Sequence, residues 1–260
     1  MSKAKGKHLK TKSMKKGKNS KRRGVVICFR IISIIIATIC LVYIIIWLKE
    51  ARHNDEVLEA VQDAKITQVI DNKTTVVSVD FENLKNTNSE TVGWIKVNNT
   101  KVDYPVVQTD NNDYYLKHSF DKSYNSLGWI FMDYRIKRDG TDKNITIYGH
   151  NSKNDAMFGS LKDILKEEWY SNADNLNITY IDENATHTYK VFSIYQIKKE
   201  TYYTNTYFSS DDEFKNFIDT IKGRSIVDFG VDVKTEDQIL TLSTCADNNN
   251  YRIVLHAKKI

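Results

Sequence analysis

Residues 238–256 read QILTLSTCADNNNYRIVLH, two alternating runs separated by a polar turn, which is a β-hairpin in outline. Alternation from Ile239 puts Thr241, Ser243 and Cys245 on one face of a strand and Leu240, Leu242 and Thr244 on the other. After the turn-rich segment 246–250, the same period groups Arg252, Val254 and His256. If Cys245 and Arg252 lie near-opposite across the hairpin, their Cβ atoms stand about 5 Å apart. A guanidinium placed there favours the thiolate of a cysteine whose ordinary pKa is about 8.5. It can also donate to the oxyanion of a tetrahedral intermediate. Taken alone, a Cys and an Arg at this spacing read by default as a surface coincidence.

Working outward, short β-type runs dominate from about Glu90 onward: 93–97, 102–108, 128–132, 144–148, 176–181 and 188–197 join 238–243 and 251–256. Eight such runs predict a barrel or closed sheet. Helical inserts are expected at 157–170 and at 211–222. In the second, Phe214, Phe217, Ile218 and Ile221 recur at helical spacing ahead of Gly223. Core packing is the plain reading of that aromatic stripe. N-terminal to the main domain, a helix from Trp47 to about Ile70 and a second short element around Phe81 and Leu84 are expected.

The net charge of +5 conceals an asymmetry. Residues 1–23 hold eleven Lys/Arg and no Asp/Glu, so the rest of the chain is mildly acidic. This Lys/Gly/Ser tail reads as disordered, and positive charge confined to it gives no footprint for nucleic acid, so none is expected as a partner. Ile31 to Leu48 follows without a charge, spanning about 27 Å as a helix against a hydrocarbon core of about 30 Å. Gly24 to Phe29 extends the run, and Arg30 can snorkel. The Lys/Arg excess orients the tail to the cytoplasm and the chain beyond Leu48 outside. The run exceeds a usual signal h-region, and no small-x-small site follows it, so a retained anchor is expected. The layout is then a basic tail (1–23), a transmembrane anchor in contact with lipid (24–48), a helical stalk (49–89) and a catalytic domain (90–260).

Of three cysteines, Cys28 and Cys40 lie in or beside the apolar span, leaving Cys245 the one outside thiol. An unpaired exported cysteine is bridged to another chain or reactive. A nucleophile that expels an amine needs a proton donor, and imidazole suits that near neutral pH. His53, His118, His187 and His256 have structural or solvated contexts. His150 instead ends the apolar strand Ile145 to Tyr148, after Gly149, and opens a polar loop, where scaffolds present catalytic groups.

The segments Thr241-Leu-Ser-Thr-Cys245 with Arg252, and Ile147-Tyr-Gly-His150-Asn151, closely resemble sortases, class B in particular. Gly93-Trp94-Ile95, Tyr104-Pro-Val-Val-Gln108, Gly128-Trp-Ile-Phe-Met-Asp133-Tyr-Arg135 and Met157-Phe158 match in order, so the resemblance covers about residues 90–260. The helix at 211–222 resembles the extra helix of class B. What the resemblance implies is a mainly β, α+β fold: an eight-stranded sortase barrel with an N-terminal helix and a helix inserted between two late strands. It implies a thiol transpeptidase, with Cys245 attacking a threonine carbonyl in the sorting signal of an exported protein and a peptidoglycan amine resolving the thioacyl-enzyme. His150 would be general acid and then base, and Arg252 would orient substrate and stabilise the oxyanion. Ser243, Asn112 and Leu116 match groove-lining positions. Tyr203 and Thr204, before the inserted helix, match less closely. Asp247 matches an acidic position to which no role is assigned. The seven-residue interval from Cys245 to Arg252 is shorter than in many sortases, which tightens the turn and bears on substrate choice. No metal signature is visible, and no cofactor is expected. A hydrolytic cysteine peptidase, or a tethered binding protein without catalysis, is the alternative reading.

Overall fold

The computed structural model describes residues 6–70, 73–245 and 250–260. The chain divides into two compact units, 1–49 and 50–260. In the first, helix α1 (Gly6–Gln62) begins and carries large apolar side chains from Val25 to Leu48 that are largely exposed. The segment Arg23–Gln62 is long and apolar enough to cross a membrane, with a mean hydropathy of 2.9 over its most apolar stretch. The tail expected to be disordered is helical from Gly6 onward. Lysine and arginine are good helix formers, and a helix already nucleated in the apolar run propagates into them at little cost.

In the second unit α1 ends at Gln62, short of the expected Ile70, because the chain then turns into a hairpin, β1 (Lys65–Ile70) paired antiparallel with β2 (Lys73–Val79). Ile66, Thr67, Val69, Ile70, Thr74, Thr75, Val76, Val77 and Val79 make this stretch dense in β-branched residues, which lose χ1 freedom in a helix and fit a pleated strand. The Ala64 carbonyl accepts from Asp80 N–H at 2.8 Å, closing the hairpin's base. Asp80 then caps the short helix α2 (Phe81–Thr87) by accepting from Asn83 N–H at 3.0 Å, and Phe81 and Leu84 are buried as expected.

All eight expected strands form and close into a barrel: β3 (Thr91–Lys96), β4 (Asp103–Val107), β5 (Phe131–Met132), β6 (Asn144–His150), β7 (Asn177–Ile181), β8 (Thr186–Lys198), β9 (Ile239–Cys245) and β10 (Tyr251–Lys259), in the order β10-β8-β7-β3-β4-β5-β6-β9. Closure removes every edge. Strand β5 is shorter than the expected 128–132 because Gly128 has a left-handed φ of +59° and Trp129 N–H bonds the Tyr115 carbonyl at 2.9 Å instead of a ladder partner. The expected helix at 157–170 is a 3₁₀ run, Gly159–Leu165, followed by one turn, α3 (Glu167–Tyr170). Lys166, extended at φ −84° and ψ 139°, breaks it.

The main core is formed by Trp94, Ile95, Val106, Ile130, Ile147, Leu240, Leu242 and Leu255 among others, all essentially inaccessible. A second cluster packs outside the wall. Helix α4 (Asp211–Gly223), capped by the Ser210 hydroxyl accepting from Glu213 N–H, lays Phe214, Phe217, Ile218 and Ile221 on Phe192, Tyr195, Tyr203, Ile239 and Val254. Each such side chain contributes about 1.5–3 kcal/mol on full burial, so the aromatic stripe is core.

Candidate active site

Strands β6 and β9 run parallel, pairing Thr146 with Thr241, Tyr148 with Ser243 and His150 with Cys245. Paired residues share a face, so these six positions line one side of the wall. Strand β10 pairs antiparallel with β9, Val254 opposite Ser243 and His256 opposite Thr241. The paired register ends at Val254, where Ile253 N–H bonds Thr244 Oγ1 at 2.9 Å, and strand alternation puts Arg252 on the face of Val254 and His256. This face is not the barrel interior: Ile147, Leu240, Leu242, Ile253 and Leu255 point the other way, into the main core. The backbone thus carries His150, Cys245 and Arg252 on adjacent strands, on one face, at one end. Arg252 is half-buried and its Nη1 donates to the Tyr251 carbonyl at 3.3 Å. The Cys245 side chain and Asp247 lie outside the described residues.

His150 is 5% exposed and its Nε2 is 2.7 Å from the Leu116 carbonyl. A carbonyl only accepts, so Nε2 carries a proton and donates it, which leaves Nδ1 as the nitrogen that can change protonation. Gly128 backs the ring: a Cβ there would stand 2.9 Å from His150 Cδ2 and 2.4 Å from the Tyr115 carbonyl oxygen. Only glycine accepts both that crowding and the positive φ.

Four of the five residues expected in a substrate groove fall into two connected groups, with Leu116 apart from both. Ser243 and Tyr203 are buried and bonded hydroxyl to hydroxyl at 3.0 Å. Asn112 and Thr204 meet through residues to which the sequence reading gave no role. Asp133, fully buried, accepts from Arg135 Nε at 2.9 Å and Nη2 at 2.7 Å, from the Tyr148 hydroxyl at 2.8 Å and from Asn112 Nδ2 at 3.1 Å. Arg135 Nη2 also donates to the Thr204 carbonyl at 2.9 Å. Burial raises the Asp133 carboxyl, but the Arg135 guanidinium and the other donors outweigh it and hold the pKa below the usual carboxylate range. Leu116 contributes its carbonyl to His150, while its side chain packs against the main core. The legible signal for Asp133 and Arg135 was an acid and an arginine two apart at the end of an apolar strand.

His256, on the same face, is fully buried and bonded to Thr241 Oγ1 and to the Tyr195 hydroxyl, each at 2.8 Å. Burial, with the nearby Arg224 charge second, pushes its pKa down to about 3, so it is a neutral structural imidazole. His53, His118 and His187 bond Asp121, the Tyr114 carbonyl and Asp182 respectively.

The family model described as the Sortase domain matches residues 95–260. The chain is 32% identical over 220 residues to the sortase B of Listeria monocytogenes, covering 82% of this chain and 87% of that protein. The crystal structure of sortase B from Bacillus anthracis, solved in complex with AAEK1, superposes with a TM-score of 0.72 at 33% identity, covering 82% of this chain and 99% of that one. The Staphylococcus aureus sortase B–substrate complex gives 0.66 at 35% identity, over 71% of this chain and 86% of that one. Alike in sequence and in the closing of its barrel, the chain belongs to the sortase family of transpeptidases and, within it, to class B.

Proposed function

We propose that this protein is a membrane-anchored cysteine transpeptidase that cleaves a threonine-containing sorting signal on exported proteins and joins the new carboxyl end to a peptidoglycan amine. Cys245, as thiolate, attacks the threonine carbonyl carbon, and Arg252 donates to the resulting oxyanion. The carbon–nitrogen bond then breaks as protonated His150 gives its Nδ1 proton to the leaving amine. The thioester carbon is next attacked by the acceptor amine, which surrenders a proton to Nδ1 while the thiolate departs. His150, Cys245 and Arg252 are the catalytic residues. Asn112, Leu116, Ser243, Tyr203 and Thr204 bound the peptide groove.

The observation that supports this reading is the pairing of His150 with Cys245 between β6 and β9, with Arg252 two residues before Val254 on the neighbouring β10. That a Staphylococcus aureus relative was solved with its substrate supports a peptide groove here. For the anchor, the support is the apolar helix and the eleven basic residues ahead of it, which orient the catalytic unit to the outer face.

The test is mass spectrometry of the full chain in detergent with a panel of threonine-containing peptides, with and without an amine. An acyl adduct on Cys245 and an amine-dependent ligation product are expected. Cys245→Ala should lower turnover by more than about 10³-fold. An adduct that survives Cys245→Ala, or hydrolysis alone in saturating amine, would overturn the proposal.

A further inference from the structure

Asn54 is a polar side chain only 2% exposed, on the stretch of α1 that belongs to the second unit. A buried amide inside a helix face that otherwise packs Ala51, Val57, Leu58 and Val61 costs stability unless its hydrogen bonds are made. Here they are made to one loop. Asn54 Nδ2 donates to the Gly128 carbonyl at 3.2 Å, and its Oδ1 accepts from Asn125 Nδ2 at 3.0 Å. Asn125, itself fully buried, also donates to the Glu50 carbonyl at 2.8 Å.

That loop is the wall against which His150 is held. Asn125 N–H bonds the Lys117 carbonyl at 2.9 Å, Gly128 N–H bonds the Asn125 carbonyl at 3.0 Å, and Trp129 N–H bonds the Tyr115 carbonyl at 2.9 Å. The first and third lash 115–117 to 125–129, and the second closes the turn within 125–129. Between them lie the Leu116 carbonyl that accepts from His150 Nε2 and the Gly128 backbone that abuts His150 Cδ2.

We propose that Asn54 is a positioning residue for His150: it fixes the loop whose Leu116 carbonyl and Gly128 backbone set the imidazole's tautomer and plane. The helix leading out of the apolar segment is then part of the proton-transfer apparatus. This rests on His150 being the general acid and base. A small misplacement of that ring lowers turnover more than it lowers peptide binding.

The experiment compares the full chain in detergent with Asn54→Asp, which keeps the size and the acceptor but replaces the donor that reaches Gly128. Asn54→Ser, smaller and uncharged, carries the same test if the aspartate's charge undocks the helix. Either is expected to lower kcat about 10-fold with KM for the sorting peptide within about 2-fold. Each should also move the His150 ring resonance, assigned through its loss in His150→Ala. Ser126→Ala is the control, because the Ser126 hydroxyl bonds the Glu50 carboxylate in the same docking seam, whereas the bonds to Gly128 and the Asn125 side chain are made by Asn54. It should leave kcat and the resonance unchanged. Equal damage from Ser126→Ala, or an unmoved resonance and unchanged kcat in both Asn54 variants, rejects the inference. Should His150→Ala retain turnover, the prior assignment of His150 fails, a result separable from failure at Asn54 alone.

Discussion

The two faces of strands β6, β9 and β10 are both largely buried and differ in polarity, the outward one mixing polar groups with Ile239 and Val254. Inward, Ile147, Leu240, Leu242 and Leu255 form an apolar packing with no hydrogen bond to satisfy. Outward, Asn144, Thr241, Ser243 and His256 are as inaccessible, yet nearly every polar atom has a named partner: Thr241 Oγ1 bonds Asn144 Oδ1 at 2.6 Å and His256 Nδ1 at 2.8 Å, and Ser243 bonds Tyr203. The difference teaches where orientation comes from. Hydrophobic packing is tolerant of direction, whereas a satisfied buried polar network admits few arrangements. Residues that must hold an angle to a thiol are carried on the second kind of surface. Removing volume should hurt the inner face, and removing partners or adding charge should hurt the outer one.

The largest expected stability effect is on the inner face. Leu242 is fully inaccessible within the main core. Leu242→Ala should cost about 2–5 kcal/mol, the lost transfer energy together with the cavity left behind. Urea unfolding of the full chain measures it. A loss under about 1 kcal/mol would mean that the wall collapses around the gap and that the inner face is not close-packed.

On the outer face the sharpest probe is pH. His256 has a folded-state pKa of about 3 against about 6.5 in the unfolded chain. Between those values the unfolded state binds the proton and the folded state does not, so stability falls as pH falls. The contribution is fully present above about pH 6.5, and roughly 2 kcal/mol of it is gone by pH 5. The imidazole is buried among the rings of Phe192, Tyr195, Tyr203 and Phe217, and that burial together with the Arg224 charge disfavours an imidazolium. Unfolding midpoints between pH 7.5 and 5 should fall more steeply for the native chain than for His256→Gln. Parallel slopes would show that His256 protonates without disturbing the face.

How much of this was legible follows from the same contrast. Inward and outward alternation writes itself into sequence with period two, so 239–245 and 251–256 disclosed their faces, while strands such as β3 and β4, buried on both sides, were found as short β-type runs bounded by turn residues. What alternation does not encode is which polar atoms meet across loops. Asn112 and Thr204 are 92 positions apart and joined through Asp133 and Arg135, and Asn54 reaches Gly128 from a helix whose apolar spacing ran through Val57, Leu58, Val61 and Ala64. The hairpin 65–79 was missed for another reason. Its β-branched density was visible, but widely spaced apolar residues in charged surroundings suit either period over so short a stretch.

The smallest expected effect discriminates most finely. Tyr203→Phe keeps the ring, and so the contacts of the second core cluster, while deleting the hydroxyl bonded to Ser243 at 3.0 Å. If the outer face owes its order to partners, the loss should be about 1 kcal/mol, the net worth of one buried neutral hydrogen bond. It should appear as a lower urea midpoint at unchanged m. Ser243 has a second, longer contact at 3.5 Å to the Thr244 carbonyl, which keeps the penalty from rising to that of an orphaned group. Because Ser243 lies two residues before Cys245 on the shared face, the same variant should raise KM for a sorting peptide by a few-fold while kcat holds. A stability loss near that of Leu242→Ala would instead assign Tyr203 to packing, and the two faces would then differ in composition but not in what holds them.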